Sequence, residues 1–93
     1  MIHVRQLSED EYEVRVRAAV ETVHRVTLRA ADRERLAGPG ISGAQLIEAS
    51  FGFLLEREPN TSILAAFELP VIGRYFPEYE REIGERLRAS GRS

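Results

Sequence analysis

Apolar and polar residues alternate through the first third of the chain. Tyr12, Val14 and Val16 interleave with Glu13, Arg15 and Arg17, and His24, Val26 and Leu28 interleave with Arg25, Thr27 and Arg29. A period of two predicts two half-buried strands at these positions. A weaker alternation, with Ile2 and Val4 inward and His3 and Arg5 outward, predicts another strand from Ile2 to about Leu7. Ser8-Glu9-Asp10 and Ala19-Val20-Glu21 are the expected turns. The second has no glycine or asparagine to set its register. Residues 2–29 therefore form an expected three-stranded meander.

The period changes after residue 30. Ala30 to Ala37 predicts a short helix packed through Leu36 and stopped at Gly38, and Gly38-Pro39-Gly40 breaks the chain behind it. The next helix has a strong start signal. Ser42 is a natural N-cap, Gln45 sits where a capping box needs it, and Ile41 and Leu46 hold the positions of a hydrophobic staple. Pro59 limits this helix to about Arg57. Phe53, Leu46, Ser50, Leu54, Ile47, Phe51 and Leu55 sweep an arc of roughly 200° on it, against the ~100° stripe that one packing surface needs. Such a helix is buried on two sides, or it is buried on one and lends the other to an interface.

Beyond Pro59, Asn60 or Thr61 is expected to cap a brief helix carrying Ile63, Leu64 and Phe67. Leu69-Pro70 interrupts it, and Pro70 opens a short turn holding Val71, Ile72 and Tyr75. Pro77 is the expected first residue of the last helix, which packs through Tyr79, Ile83 and Leu87 with Phe76 close by. Glu78 and Glu80 suit its positive end and Arg86 and Arg88 its negative end, and Glu82 and Arg86 are spaced for an i,i+4 pair. Gly84 weakens it, so it depends on docking, and residues 89–93 are expected to fray. Strands followed by helices predict one α+β domain over residues 1–93, with a small antiparallel sheet and the helices of residues 30–88 on one face.

Composition narrows the chemistry. The chain has 93 residues, room for one core but not two, with 43% hydrophobic and 30% charged residues. It has no cysteine, which excludes disulfides, thiolate nucleophiles and cysteine-held metals. The start, MIHVRQLSEDE, has no apolar targeting segment, and no apolar run approaches a membrane span, so a cytoplasmic location without membrane contact is the expectation. Net charge is −2, and every basic residue is arginine. The net charge neither demands nor forbids a nucleic-acid partner.

Taken together, SFGFLLEREP (Ser50 to Pro59), SIL (Ser62 to Leu64), FELPVI (Phe67 to Ile72) and RYFPEY (Arg74 to Tyr79) resemble a group of small bacterial proteins with no assigned activity. The resemblance covers about a third of the chain strongly and the strands loosely. It implies a β-rich start, a helical end and a bacterial, cytosolic origin, and it brings no catalytic or binding residue.

Two surfaces are candidate sites. Phe51, Leu55, Leu69, Ile72, Tyr75, Phe76 and Tyr79, with Phe67 beside them, form either core or an apolar surface for self-association or a protein partner. Arg5, Arg15, Arg17, Arg25 and Arg29 share the outward phase of the sheet, opposed mainly by Glu13. They form either a solvated face or one for an acidic protein or nucleic acid. That face lacks aromatic residues on which bases would stack.

The remaining features point to structure. Gly38 to Gly43 lacks the lysine and spacing of a phosphate-binding loop, and a loop leading to a helix cap explains it. His24 is expected to be packed and hydrogen-bonded, and His3 faces the other way, so no metal and no cofactor are expected. Glu56, Glu58, Glu78 and Glu82 are expected as surface carboxylates at helix ends, and no serine has an evident base partner, so an enzyme is not expected.

Overall fold

The computed structural model describes residues 1–90. Three antiparallel strands open it: β1 (Ile2–Gln6), β2 (Glu11–Val16) and β3 (Thr22–Thr27). Their register sets Val4 opposite Val14 and Val14 opposite His24, with Tyr12 opposite Val26. The alternating apolar residues thus lie on one face, where Tyr12, Val14, Val16, His24 and Val26 are buried. Helices α1 (Ala30–Ala37) and α2 (Gly43–Leu55) follow. Gly38 and Gly40 between them take positive φ, a conformation that glycine reaches without a Cβ penalty.

The chain then departs from expectation. The brief helix predicted for residues 60–67 is a 3-10 turn at Asn60–Ser62 followed by a fourth strand, β4 (Ala66–Glu68). β4 pairs parallel to β3, with Val26 opposite Phe67, so the sheet is mixed and four-stranded in the order β1-β2-β3-β4. A parallel neighbour needs a crossover, and α1 and α2 supply it. Three residues are too few for a period-two signal. The strand is held by its tertiary contacts: the Arg25 N–H donates to the Ala65 carbonyl at 2.8 Å, and Phe67 packs on Phe51.

Another 3-10 turn, Leu69–Val71 with Pro70 in its first turn, leads into α3 (Ile72–Tyr75) and then α4 (Tyr79–Ser90). α4 begins two residues later than Pro77 suggests, after a turn in which the Tyr79 N–H donates to the Phe76 carbonyl. It runs to Ser90, and residues 91–93 of the tail expected to fray lie outside the described residues.

α2 is buried on two sides. It packs against β1 on one and α4 on the other, with α1 at its flank. Leu46, Ile47, Ser50, Phe51, Phe53 and Leu54 are all buried, so the wide arc is core on both sides and lends no large face to solvent. The capping box is present, with the Gln45 N–H donating to Ser42 Oγ at 3.1 Å and the Ser42 N–H to Gln45 Oε1 at 2.8 Å. At the first residue of α2, a Cβ on Gly43 would lie 2.1 Å from the Tyr12 hydroxyl. Glycine there lets the start of α2 sit directly on β2.

Candidate functional site

The aromatic and apolar candidates divide between core and surface. Phe51, Leu69, Ile72 and Tyr79 are buried within the chain's own core. Leu55 and Phe76 are half-buried against that core, and Tyr75 alone of the seven is exposed, at 66%.

The burial of Tyr79 is complete but polar-satisfied. Ser50 Oγ donates to the Leu46 carbonyl at 2.7 Å, which leaves it to accept the Tyr79 hydroxyl at 2.6 Å. Burial pushes the Tyr79 phenol well above its usual value and so keeps it a proton donor. Ser50 is thereby a bridge between α2 and α4, with no base beside it.

Arg57 closes the end of α2. Its guanidinium lies 3.6 Å over the Phe53 ring and donates to the Phe53 carbonyl at 3.1 Å, to Glu78 at 3.2 Å and to both Glu82 oxygens at 3.0 and 3.1 Å. A planar fork with five donors suits this several-sided contact. Glu82 therefore pairs with Arg57 and not with Arg86 as expected, because α4 docks on α2. Arg86 reaches across to Glu56. The Arg86 hydrogen bond holds the Glu56 carboxyl below its usual range, and Glu78 is lowered by its own backbone N–H and by Arg57. These three glutamates serve ion pairs.

Glu58 is different. Among the described residues it has no ion-pair partner, and it borders a pocket of about 300 Å³ between the end of α2, the turn before β4, and α3. Leu54, Ile63, Phe67, Ile72 and Phe76 supply apolar walls, and Ser62 adds a hydroxyl. Leu64 and Tyr75, 48% and 66% exposed, lie at its mouth. Phe67, Ile72, Tyr75 and Phe76 were legible as an aromatic cluster, whereas Leu54, Ile63, Leu64 and Glu58 were not expected to join them in a site. One signal was available: Ile63, Leu64, Phe67, Leu69, Val71 and Ile72 are more apolar positions than one short buried face accommodates.

A buried polar chain fixes the back of this region. The Leu64 carbonyl can only accept, so His24 Nδ1 carries the proton donated to it at 2.7 Å. Asn60 Nδ2 donates to Thr22 Oγ1 at 2.8 Å and to the Val20 carbonyl at 2.7 Å, and the Thr22 hydroxyl then serves His24 Nε2 at 2.9 Å. His24 is the packed, hydrogen-bonded residue that its strand position suggested. It holds the segment before β4 against β3.

The arginine candidates fall on one face, as their phase predicts, but the face carries both charges. Arg5, Glu13 and Arg25 lie side by side across β1, β2 and β3. Glu13 is 3.5 Å from Arg5 and 3.7 Å from Arg15. Glu21 pairs with Arg15 at 2.8 Å and Arg17 at 3.1 Å, and Arg29 pairs with Glu68 of β4. Of the five, only Arg25 has no ion pair among the described residues. A phosphate backbone binding here would compete with those carboxylates.

Other candidates stay structural. The loop from Gly38 leads to a helix N-terminus already occupied by its capping box, and Arg33 donates to the Ile41 carbonyl at 3.1 Å. Among the described residues, no group of three or more acidic or histidine side chains is placed to hold a metal ion, and no helix is long and apolar enough to cross a membrane. The fold defines an α+β protein, with its strands toward the N-terminus and its helices toward the C-terminus. Comparison with protein-family models, with curated proteins and with solved structures finds no match to this chain.

Proposed function

We propose that this chain is a small, non-enzymatic, cytoplasmic interaction module that takes a protein partner in the pocket between α2, β4 and α3. One observation carries the reading. The pocket is apolar-walled and opens through exposed Leu64 and Tyr75, whereas the surface around the sheet is covered by ion pairs. Exposed apolar groups gathered around a concavity are the usual anchor point of a protein contact. Tyrosine suits its edge, offering an apolar ring and a polar tip. Glu58, the charged group on the pocket wall, favours a partner segment that inserts a large apolar side chain with a basic group beside it.

The test is capture from a lysate, run with and without nuclease treatment, with wild type compared against Leu64→Glu/Tyr75→Glu. Both positions are exposed, so the double variant is expected to fold. A protein retained by wild type and lost by the variant supports the reading. Equal capture by both proteins overturns it. So does recovery of nucleic acid that disappears when Arg15, Arg17 and Arg25 become glutamate, which would move the function to the outer face of the sheet.

A further inference from the structure

Among the described residues the sheet has two free margins, and one of them lacks most of the features that keep a strand edge from pairing. The hydrogen-bond phase of β1 follows from its ends. Met1 and Arg17 exchange both bonds at 2.8 Å, and the Leu7 N–H donates to the Glu11 carbonyl at 2.8 Å. Antiparallel pairs alternate, so His3 and Arg5 also bond to β2, while the N–H and C=O groups of Ile2, Val4 and Gln6 point away from it. Those groups form the outer edge of β1.

Natural edge strands are blunted by proline, bulges, very short length, charges pointing inward or charged side chains along the edge. β1 has none of the first four, and of the last it carries only Arg5, which is tied to Glu13 of β2. It runs for five residues in unbroken register, and its inward positions are Ile2, Val4 and uncharged Gln6. β4 at the other margin has three residues and runs straight into the turn containing Pro70.

We infer that β1 pairs with β1 of a second copy of this chain, antiparallel about a two-fold axis at Val4, joining the two sheets into one. The sequence of the edge selects this occupant. With Val4 opposite Val4, Ile2 falls opposite Gln6 of the second copy, and each of these pairs exchanges both backbone bonds. Every outward N–H and C=O of Ile2, Val4 and Gln6 is then used. Centring the axis on His3 would leave Gln6 without a partner.

The side chains agree with that register. On the outer face Met1 falls opposite Leu7 of the second copy, and these are two of the chain's few exposed large hydrophobic residues, 76% and 37% exposed. Arg5 falls opposite His3, so no two arginines or two carboxylates face each other directly. On the inner face a concavity beside β1, bordered by Ile2, Ile41 and Leu87 and by the polar Gln45, Glu48 and Arg86, places α2 next to the same edge. The dimer would leave the pocket near Tyr75 at the far margin of each chain, so this contact and the proposed partner contact are independent.

Sedimentation velocity from low micromolar to near-millimolar concentration, with amide hydrogen exchange on the same samples, tests the inference. The expected result is a monomer–dimer equilibrium in which the Ile2, Val4 and Gln6 amides gain protection with concentration. Val4→Pro removes the central inter-chain donor without touching a β1–β2 bond, and should weaken dimerisation by about ten- to a hundredfold. Leu7→Glu, which changes an exposed side chain, should weaken it with the fold intact. A protein that stays monomeric throughout overturns the inference. So does a dimer whose Ile2, Val4 and Gln6 amides exchange freely, or one that both substitutions leave unchanged. Protection of those amides only on adding an unrelated polypeptide would also overturn it, by assigning the edge to a different partner.

Discussion

The two margins of the sheet are built in opposite ways. β1 is joined to β2 by a local turn and pairs with its sequence neighbour, and α2 then covers its inner face. β4 lies about forty residues from β3 in the chain and pairs parallel to it, in an arrangement held by side chains from elsewhere. Phe51 of α2 sits against both His24 and Phe67, with ring centroids 5.4 and 6.1 Å apart. Asn60, Thr22 and His24 complete the attachment through partly buried hydrogen bonds. The meander margin is thus specified by pattern, and the β4 margin by tertiary contact. The proposed pocket lies at the second, where a strand and its turns meet a helix end.

Phe51→Ala should separate the two margins most sharply. Removing a wholly buried phenylalanine costs about 3–5 kcal/mol, and here the cavity opens between α2, β3 and β4. Urea unfolding should give that loss. Hydrogen exchange should accelerate at Phe67 before it does in the β1–β2 pairing. Uniform acceleration across the sheet would mean that the margins are one cooperative unit.

Gly43→Ala probes the other side. The new methyl would overlap the Tyr12 hydroxyl, and either the ring or the start of α2 must move. Overpacking of this kind costs about 1–3 kcal/mol. The expected signature is a lowered urea midpoint with chemical-shift changes centred on Tyr12 and its cross-strand neighbours Gln6 and Val26, leaving Phe67 unmoved. A neutral effect would show that Tyr12 has room to turn.

This contrast also explains what was legible in the sequence. The meander was visible because Tyr12, Val14 and Val16 alternate with charged residues, and α2 was visible because Ser42 and Gln45 announce its start. The α+β class followed from their order. β4 was not visible: Ala66-Phe67-Glu68 is too short for a period, and Asn60 looked like a helix cap where it is a donor to Thr22 and Val20. The pocket was half legible. Tyr75 and Phe76 stood out as aromatic residues, but their division into exposed mouth and half-buried wall depends on a strand that local pattern does not announce. The Glu82–Arg86 spacing misled for a related reason, since docking of α4 offers each residue a better partner on α2.

Asn60→Ala tests the polar half of the β4 attachment. It removes two donated hydrogen bonds, but the Val20 carbonyl belongs to an exposed turn and water can replace the lost amide there. The net loss should be on the order of 1 kcal/mol, smaller than for Phe51→Ala. Its distinguishing readout is the His24 ring. With Thr22 freed from Asn60, the ring-nitrogen NMR signals should shift at Nε2 while Nδ1 keeps its proton toward Leu64. Loss of the Nδ1 proton signal would mean that Asn60, and not the Leu64 carbonyl, selects the tautomer.

The smallest expected effect is that of mild acid, and it too distinguishes the regions. Glu21 on the outer face is lowered by its hydrogen bond from Arg15, and Glu56 and Glu78 are lowered at the junction of α2 and α4. A carboxylate whose pKa is lower in the folded state stabilises the fold above its unfolded value, and that contribution is lost as pH falls through the folded value. Stability should therefore be level above the ordinary carboxylate range, about pH 4.5, and decline below it. All three carboxylates are solvent-accessible, so screening keeps the decline shallow, and added salt should shrink it further. Arg57→Gln removes a cation that contributes to lowering Glu78 and flanks Glu56, and should shrink the acid limb of the α2–α4 junction only in part, because the Arg86 hydrogen bond to Glu56 and the backbone N–H on Glu78 remain, as does the part due to Glu21. An acid limb unchanged by Arg57→Gln but reduced by Arg86→Gln would assign the junction's share to the Arg86–Glu56 contact, and one unchanged by both would assign the pH dependence to the backbone N–H on Glu78 and the ion pairs of the sheet.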